Sequence, residues 1–455
     1  GAGVGSLTAA FVDYVCTHGK LPKSIQVTAY EVDGLLASYL GDTLEECADR
    51  AGSKKTKFSS QLKAMDFIHD GAEQACSLFT TRQTFTHVIM NPPYKKINTG
   101  SAHRQSLRRA GVETSNLYTG FLALATLLLE DYGELVAITP RSFCNGPYFL
   151  PFRKLFLEQM TLKHIHVFET RNKAFSDDDV LQENVIFHAV KGTTKGKVKI
   201  SVSSDQSFSD CSVREIDYAQ VVNPDDPELF IHMASSTEDD RTAERIKVFT
   251  HTLQDLGLTV STGPVVDFRL KEYLRQEPVA DAVPLIYPGH CQNNFVEWPV
   301  QGRKPNAILD TEESNRWLMP NGYYTVVKRF SAKEERRRVV ASVHSPKRVK
   351  ADMIGFENHL NVFHANKKGL PEALAKGLAV YLNSSLVDAF FRQFNGHTQV
   401  NATDLRKLPY PSREQLIALG RSVNGHFPAQ DAVDALIEEL EIEGEQGRRK
   451  NKRST

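Results

Sequence analysis

Hydrophobic and polar positions follow two different spacings along the N-terminal part of the chain. Leu7, Phe11 and Val15 recur at the spacing of an α-helix, directly after three glycines. Residues 25–30 and 85–90 are instead short, largely apolar runs with the composition of β-strands. Helical and strand segments that alternate in this way predict an α/β domain, doubly wound and Rossmann-like, around a parallel sheet.

Chemically distinctive residues stand where the predicted strands begin and end. In chain order they are the turn of Gly1, Gly3 and Gly5, then Glu31, then Asp66 with Phe67, and finally Asn91-Pro92-Pro93-Tyr94. The carboxyl ends of parallel strands share one edge of a sheet, and open α/β folds bind ligands at this edge. The order therefore predicts a ligand site formed by all four positions.

The glycine turn and Glu31 suit a nucleotide, although each also has a simpler explanation. A glycine-rich turn lets the backbone approach a nucleotide at a helix N-terminus, but an ordinary tight turn has the same composition. An acid at a strand end binds ribose hydroxyls in doubly wound folds, but it is also a common solvated residue. The position of Glu31 behind the glycine turn favours ribose binding.

The sequence Asn91-Pro92-Pro93-Tyr94 ends a predicted strand abruptly. Two prolines remove two backbone donors and fix φ, so neither a strand nor a helix continues through them. The turn is therefore rigid. It either simply ends the strand or holds residues in place for a chemical role.

The pattern changes near residue 245, and the length of 455 residues allows two or three domains. We predict a first domain at 1–245, a mixed α+β domain at 250–412, and a helical segment with a disordered basic tail at 413–455. Within the second domain, apolar residues four apart predict one amphipathic helix. They are Leu378, Leu382, Leu386 and Phe390.

Composition excludes several classes of protein. Hydrophobic residues make up 41% and charged residues 24%, as in ordinary globular domains. The longest apolar run, 121–129, is too short for a bilayer, which needs about 20 residues. Six cysteines without a CxxC pair argue against a structural metal site or a disulfide framework and indicate a reducing cytoplasm. We therefore expect no metal and no membrane.

Positive charge is concentrated at residues 328–350, although Lys plus Arg equals Asp plus Glu at 55 each over the whole chain. The segment has nine basic residues against two acids. Such a run is either an ordinary solvated face or a surface for phosphates. The residues that we expect to contact DNA phosphates are Arg336, Arg337, Arg338, Lys347 and Arg348.

Several motifs together resemble the S-adenosylmethionine-dependent DNA methyltransferases that modify adenine, in the gamma arrangement of the TaqI enzyme. They are GAGVGSLT, EVD, MDF, NPPY, the long segment ending in GELVAITPRSF, and AFSDDDVLQENVIF. The segment NGHTQVNATDLRKLPYPS resembles the end of a target-recognition domain, as in methylases of the BsuBI/PstI kind. The resemblance implies methylation of duplex DNA within a bacterial or archaeal restriction-modification or phage-defence system, with a separate endonuclease.

The resemblance also implies roles at the proline turn. Asn91 and the carbonyl of Pro92 accept hydrogen bonds from the adenine amino group, and Pro93 completes the turn. Tyr94 and Phe175 stack on the two faces of a base swung out of the duplex, since an amino group inside the stack is out of reach.

For the cofactor, the resemblance implies that Gly1, Gly3 and Gly5 approach S-adenosylmethionine through their backbone. Glu31 binds its ribose, Asp66 binds its adenine amino group, and Phe67 packs on the adenine ring. Because the sequence begins at the glycines themselves, we expect the strand that feeds this turn and an upstream segment over the methionine part to be missing.

Two alternatives remain open at this point. RNA and protein-glutamine methyltransferases share Asn-Pro-Pro-Tyr, but they leave about 200 C-terminal residues without a role. A DNA specificity module with an inactive methylase half is the other alternative, and the intact Asn91-Pro92-Pro93-Tyr94 argues against it.

Overall fold

The computed structural model describes residues 1–18, 20–77, 83–168, 183–205, 207–234, 236–331, 335–395 and 399–451, with side chains as far as 444. The chain forms two compact units, 1–235 and 236–455. The sequence-based boundary was 245, so the helix that follows residue 236 lies in the second unit.

The first unit alternates helices and strands, as the two spacings predict. Its elements are α1 (Ser6–Thr17), β1 (Ser24–Tyr30), α2 (Gly34–Ser53), β2 (Lys57–Lys63), α3 (Phe67–Cys76), β3 (Phe85–Met90), α4 (Ala102–Arg109), α5 (Leu117–Leu128), β4 (Leu129–Pro140), α6 (Leu150–Gln159), β5 (Met160–Phe168), β6 (Asn184–Lys191), β7 (Lys197–Ser203), β8 (Ser212–Asp217) and α7 (Tyr218–Val221).

The strands of this unit form two sheets, which corrects the prediction of one parallel sheet. β1 and β2 pair in parallel as a two-stranded sheet, and the larger sheet has the order β3-β4-β6-β5-β7-β8. Its β3–β4 and β5–β7 pairs are parallel, but β6 is antiparallel to both β4 and β5. Among the described residues, neither β1 nor β3 pairs with a second strand. Glu31, Asp66 and Asn91 therefore follow the carboxyl ends of β1, β2 and β3, which belong to two sheets. The glycine turn lies beside the end of β1, where the N–H of Ala2 donates to the carbonyl of Tyr30 at 2.7 Å.

The core of the first unit lies between the larger sheet and α5. Nine of the twelve residues of α5 are buried, because this helix is apolar all round and packs on α3, α6 and β4. In β4, Leu135, Ala137 and Thr139 face this core. The strand is therefore held firmly where it passes the proline turn.

The second unit is a mixed α+β assembly. Its elements are α8 (Thr237–Ile246), β9 (Thr259–Thr262), β10 (Leu274–Arg275), β11 (Ala282–Ile286), β12 (Cys291–Gln292), β13 (Phe295–Val296), β14 (Ala307–Leu309), β15 (Leu318–Pro320), β16 (Tyr324–Lys328), β17 (Ala341–His344), β18 (Met353–Phe356), β19 (Leu360–His364), α9 (Glu372–Leu382), α10 (Ser385–Phe394), α11 (Ala402–Lys407), α12 (Arg413–Arg421) and α13 (Gln430–Asn451). The strands form a five-stranded sheet, β10-β14-β11-β18-β15, and a six-stranded sheet, β12-β13-β17-β16-β19-β9.

The single amphipathic helix predicted through Leu378 and Phe390 is two helices, α9 and α10. Ser384 interrupts it, because its hydroxyl accepts a hydrogen bond from the N–H of Val387 and so caps a new helix. The spacing of apolar residues indicated helix correctly, but it did not indicate the capping residue inside the segment.

The C-terminal segment is part of the second unit rather than an appendage. Helix α12 packs against α9 so closely that a Cβ atom on Gly377 would lie 1.7 Å from the carbonyl oxygen of Leu416. A Cβ on Gly420 would lie 1.7 Å from the carbonyl oxygen of Ala373. The basic tail predicted to be disordered continues helix α13 as far as Asn451.

Among the described residues, no helix combines the length and the apolar character needed to cross a bilayer.

Candidate active site

The glycine turn precedes α1. One of its glycines, Gly5, allows close packing, and the other two, Gly1 and Gly3, leave space beside the backbone. Gly3 and Gly5 have φ angles of 59° and 90°, in the left-handed region that favours glycine. A Cβ on Gly5 would lie 2.8 Å from Leu40 Cδ1, so Gly5 allows close packing against α2. Gly1 and Gly3 have nothing within 4 Å of a Cβ position and leave the backbone open to a ligand.

Glu31 holds this turn against the end of β1. Its carboxylate accepts hydrogen bonds from the N–H groups of Gly3 at 2.8 Å, Val32 at 2.9 Å and Asp33 at 3.0 Å. Burial of the side chain opposes ionisation, but the Asp33 and Gly3 donors outweigh it and hold the pKa of Glu31 below its ordinary value. A carboxylate has about four acceptor positions, so one remains for a ligand hydroxyl.

Asp66 caps helix α3 and lies within hydrogen-bond distance of a histidine, a contact that the sequence did not indicate. Its carboxylate accepts from the N–H of Ile68 at 2.7 Å and lies 2.9 Å from His103 Nε2. Burial opposes ionisation, but His103 and the Ile68 N–H lower the pKa of Asp66. His103 lies 37 residues away in α4, so no local sequence signal connects the two.

Phe67 is fixed by neighbours in the small sheet and in α5. Its ring packs edge-on against Tyr30 at 5.0 Å and lies 5.1 Å from the ring of Phe121. The Tyr30 hydroxyl donates to Asp70 at 2.6 Å, and Lys63 donates to the same carboxylate at 2.9 Å. This network ties α3 to the ends of β1 and β2.

Asp66, His69 and His103 are close enough to suggest a metal site, with ligand atoms within 4.8 Å of one another. However, the two imidazole rings are stacked, with centroids 5.0 Å apart and planes only 23° from parallel. The lone pairs of imidazole lie in the ring plane, so two stacked rings do not direct them at one ion. His69 Nδ1 instead lies 2.9 Å from the hydroxyl of Ser106.

The Asn91-Pro92-Pro93-Tyr94 turn follows β3 directly. Met90 pairs with Ala137 of β4, so Asn91 emerges at the carboxyl end of the larger sheet. Asn91 and Pro93 are exposed, whereas Pro92 is buried and Tyr94 is half-buried against the core. The turn therefore presents the Asn91 amide to solvent from a rigid, anchored backbone.

The phenol of Tyr94 lies beside the Asn91 amide. Its oxygen is 2.9 Å from Asn91 Oδ1 and 3.2 Å from the carbonyl oxygen of Ile138. The Tyr94 ring packs edge-on against Tyr118, whose hydroxyl lies 2.8 Å from that of Ser142. Burial raises the pKa of Tyr118, so its phenol is a neutral hydrogen-bonding group at this end of the sheet.

Comparison with known proteins identifies the family to which this site belongs. Residues 28–175 match the family described as Eco57I restriction-modification methylase. The type II methyltransferase M.BsuBI of Bacillus subtilis is 47% identical over 446 residues, which cover 97% of this chain and 87% of that protein. M.PstI of Providencia stuartii is 45% identical over 441 residues, covering 96% of this chain and 86% of that protein. The chain belongs to the type II methyltransferases of restriction-modification systems.

Two solved structures are similar to this methyltransferase at lower sequence identity. The DrdV–DNA complex aligns over 93% of this chain and 53% of that chain, with 12% identity and a TM-score of 0.46. The type IIL restriction-modification enzyme MmeI in complex with DNA aligns over 86% of this chain and 57% of that chain, with 11% identity and the same TM-score.

The methyl donor of the methyltransferase is S-adenosylmethionine, and the residues around the glycine turn fit such a nucleoside. Gly1 and Gly3 leave open space at the N-terminus of α1, and Glu31 keeps one acceptor position at the end of β1. Asp66 and Phe67 lie at the N-terminus of α3, where one Asp66 oxygen is already paired with His103. Which of these residues contact the donor remains a prediction.

The basic run of the methyltransferase does not form the predicted phosphate surface as a whole. Arg336 is exposed and Arg337 is half-buried, but Arg338 is only 1% exposed. Arg338 donates from Nε to Ser331 at 3.1 Å and from Nη2 to Asn395 at 2.8 Å. The prediction that Arg338 contacts phosphate is wrong, because its guanidinium stabilises the interior of the second unit.

Lys347 and Arg348 are exposed, but both have carboxylate partners. Lys347 Nζ lies 2.8 Å from Glu372, and Arg348 forms an ion pair with Glu297. The Arg348 guanidinium also lies 4.1 Å from the centroid of the Phe295 ring. Their positive charge is therefore partly neutralised within the protein, and their contact with DNA stays a prediction.

Phe175, which is predicted to stack on the target base, lies outside the described residues.

Proposed function

We propose that the methyltransferase transfers a methyl group from S-adenosylmethionine to the exocyclic amino group of adenine in duplex DNA at a specific sequence. The observation that carries this proposal is the Asn91 amide, held exposed at the end of β3 by two prolines and the Tyr94 phenol. The family supports DNA modification, and the resemblance of the turn to adenine-specific enzymes supports the target base. The second unit is proposed to recognise the DNA sequence.

The reaction requires a more nucleophilic amino nitrogen. The lone pair of an adenine amino group is delocalised into the ring, and two acceptors aimed at its hydrogens make the nitrogen more tetrahedral. Asn91 Oδ1 and the carbonyl of Pro92 are the proposed acceptors. S-adenosylmethionine supplies an electrophilic methyl group on its sulfonium sulfur. The protein holds the nitrogen in line with the bond between that methyl group and sulfur. The N–C bond forms as the C–S bond breaks, the sulfur keeps the electron pair and leaves as a neutral thioether, and the methylated nitrogen then releases one proton to solvent.

Tyr94 has two proposed roles, one for its ring and one for its hydroxyl. The ring stacks on the base that has left the duplex, and Phe175 covers the other face. Among the described residues, Asn91 Oδ1 and the carbonyl oxygen of Ile138 lie within reach of this hydroxyl. In the proposed productive arrangement the Asn91 amide turns over, so that the Tyr94 oxygen accepts from the Asn91 NH₂ group while its proton goes to Ile138. Asn91 Oδ1 then faces the incoming amino group.

Tyr94→Phe tests the role of the hydroxyl while retaining the ring. Loss of a hydrogen bond worth about 0.5–1.5 kcal/mol frees the Asn91 amide to rotate, so we expect kcat to fall by roughly 2- to 13-fold. The KM for DNA is expected to stay near the wild-type value. Tyr118→Phe is the control, because it removes a neighbouring hydroxyl that bonds Ser142 instead. Equal kcat values for Tyr94→Phe and wild type would remove the positioning role.

Glu31→Gln tests the cofactor site. A hydrogen bond to a charged group contributes about 1.5–3 kcal/mol, so we expect S-adenosylmethionine to bind roughly 10- to 150-fold more weakly by calorimetry. Because the folded pKa of Glu31 is lowered, its stabilising effect is present above the ordinary carboxyl pKa and disappears as pH falls through the folded value. Glu46→Gln, exposed on α2, is the matched control. Unchanged affinity in Glu31→Gln would leave Glu31 only the role of holding the turn.

The proposed function is tested directly by incubating the protein and S-adenosylmethionine with whole-genome-amplified DNA, in which no adenine or cytosine is methylated. Sequencing at single-base resolution is expected to find methylated adenine at one short sequence. Methylated cytosine would contradict the assignment of the target base. Methyl transfer to RNA or to a glutamine side chain, with none to DNA, would favour the alternative enzymes.

A further inference from the structure

The residues that follow the proline turn form a basic segment that the sequence analysis did not single out. Between Asn91 and Val112 the sequence has no Asp or Glu, and residues 95–109 contain five Lys or Arg residues. They are Lys95, Lys96, Arg104, Arg108 and Arg109. This post-turn segment adjoins the candidate target site, whereas the run at 328–350 belongs to the other unit.

The start of the post-turn segment is held in a fixed position. The carbonyl of Lys95 accepts from the N–H of Leu117 at 2.8 Å, and the N–H of Ile97 donates to Ser115 at 2.8 Å. Lys96 forms an antiparallel bridge with Asn116, and the side chain of Ile97 is buried in the core. The backbone of both lysines is therefore anchored to the N-terminus of α5.

The basic side chains of this segment differ in whether a carboxylate of the protein already pairs with them. Arg104 and Arg108 share a single carboxylate, Glu113, and Arg108 Nε lies 2.9 Å from it. In the part of the chain that the structure describes, Lys95 and Lys96 are exposed and have no ion pair. The two lysines therefore differ from Lys347 and Arg348, each of which has a carboxylate partner.

Lys95 and Lys96 follow Asn91 by four and five residues, and all three are exposed. Pro92 is buried and Tyr94 is half-buried. A polymer that delivers a base to the Asn91 amide must bring its negatively charged backbone past the exposed residues of this short stretch. Free ammonium groups on an anchored backbone complement that charge.

We propose that Lys95 and Lys96 bind the phosphates that flank the nucleotide whose base enters the Asn91 site. This inference rests on the proposed function and adds the surface that holds the DNA strand. The lysines fix the position of the strand and carry no sequence information, because phosphate contacts are the same for every base. The second unit is left to read the sequence.

The test is a salt titration of binding to a short duplex of mixed sequence by fluorescence anisotropy, comparing wild type with Lys95→Ala/Lys96→Ala. The slope of log affinity against log salt is expected to shrink by about 0.9 for each phosphate that the variant no longer neutralises. Affinity at about 0.1 M salt is expected to fall on the order of 10- to 100-fold. Lys95→Arg/Lys96→Arg is expected to restore the slope, since it keeps both charges.

The matched control is Lys54→Ala/Lys57→Ala, which makes the same charge change at the amino end of β2, away from the carboxyl edge. Thermal unfolding checks that every variant is folded, and exposed substitutions of this kind are expected to change stability by less than about 0.5 kcal/mol. The control is expected to show the wild-type slope.

The outcomes separate this inference from the proposed function. If wild type methylates DNA but the double variant keeps the wild-type slope, the lysines do not contact phosphate. An equal reduction in both double variants would mean that net charge, not position, controls binding, and it would also overturn the inference. If wild type methylates no duplex at all, the proposed function itself fails.

Discussion

Asn91→Ala is expected to lower kcat for methyl transfer by about 100- to 1,000-fold, while the protein still binds DNA and S-adenosylmethionine. The substitution removes one of the two proposed acceptors for the hydrogens of the target amino group. By analogy with an oxyanion-hole donor, loss of one such positioned group costs about 2.7–4 kcal/mol in the barrier. Because Asn91 is exposed and follows the strand, its removal leaves the fold intact.

Single-turnover transfer of a radioactive methyl group to unmethylated duplex DNA measures this effect separately from product release. Asn98→Ala is the control, since Asn98 is an exposed asparagine seven residues further on in the same loop region. A rate for Asn91→Ala within a few-fold of wild type would show that the asparagine does not orient the amino group.

Gly377→Ala is expected to destabilise the protein by about 3 kcal/mol or more, because its methyl group would lie 1.7 Å from the carbonyl oxygen of Leu416. Overpacking of this kind forces two helix backbones apart rather than one side chain. Thermal unfolding monitored by circular dichroism measures the destabilisation.

Gly41→Ala is a control that is expected to change the stability of the protein in the opposite direction. Gly41 lies inside helix α2 and has nothing within 4 Å of a Cβ position, so alanine there is expected to stabilise the helix by up to about 1 kcal/mol. If Gly377→Ala and Gly41→Ala had similar melting temperatures, the close approach of α9 and α12 would be contradicted.

The proline turn was predictable from sequence because its physics is local. Two prolines after a short apolar run end the strand whatever lies around them, and β3 ends at Met90 as expected. The glycine turn was similarly predictable, since Gly3 and Gly5 adopt left-handed φ angles. Spacing did not reveal that Gly5 packs on α2, because the contact is made by residues 35 and more positions away.

The features that the sequence did not reveal depend on where side chains point and on partners that lie far away along the chain. Positive charge at 328–350 was counted correctly, but Arg336, Arg337 and Arg338 turn progressively from solvent to the interior. The hydrogen bond between Asp66 and His103 depends on where α4 lies in the fold. The position of the exposed lysines beside the proline turn depends on where α5 lies. The sheet arrangement differs from the prediction because alternating helices and strands do not specify which strand edges pair.

The contact between Gly377 and Gly420 has a consequence for engineering the second unit, which is proposed to recognise the DNA sequence. Exchange of the second unit between related methyltransferases requires an endpoint, and the end of the predicted recognition domain at 412 is the obvious choice. That junction separates α9 from α12, two helices whose backbones touch through glycine. A chimera joined there would pair an α9 from one parent with an α12 from another. Exchanges that carry residues 413–421 together with α9 keep the matched helices in one piece and are the ones expected to yield folded hybrids.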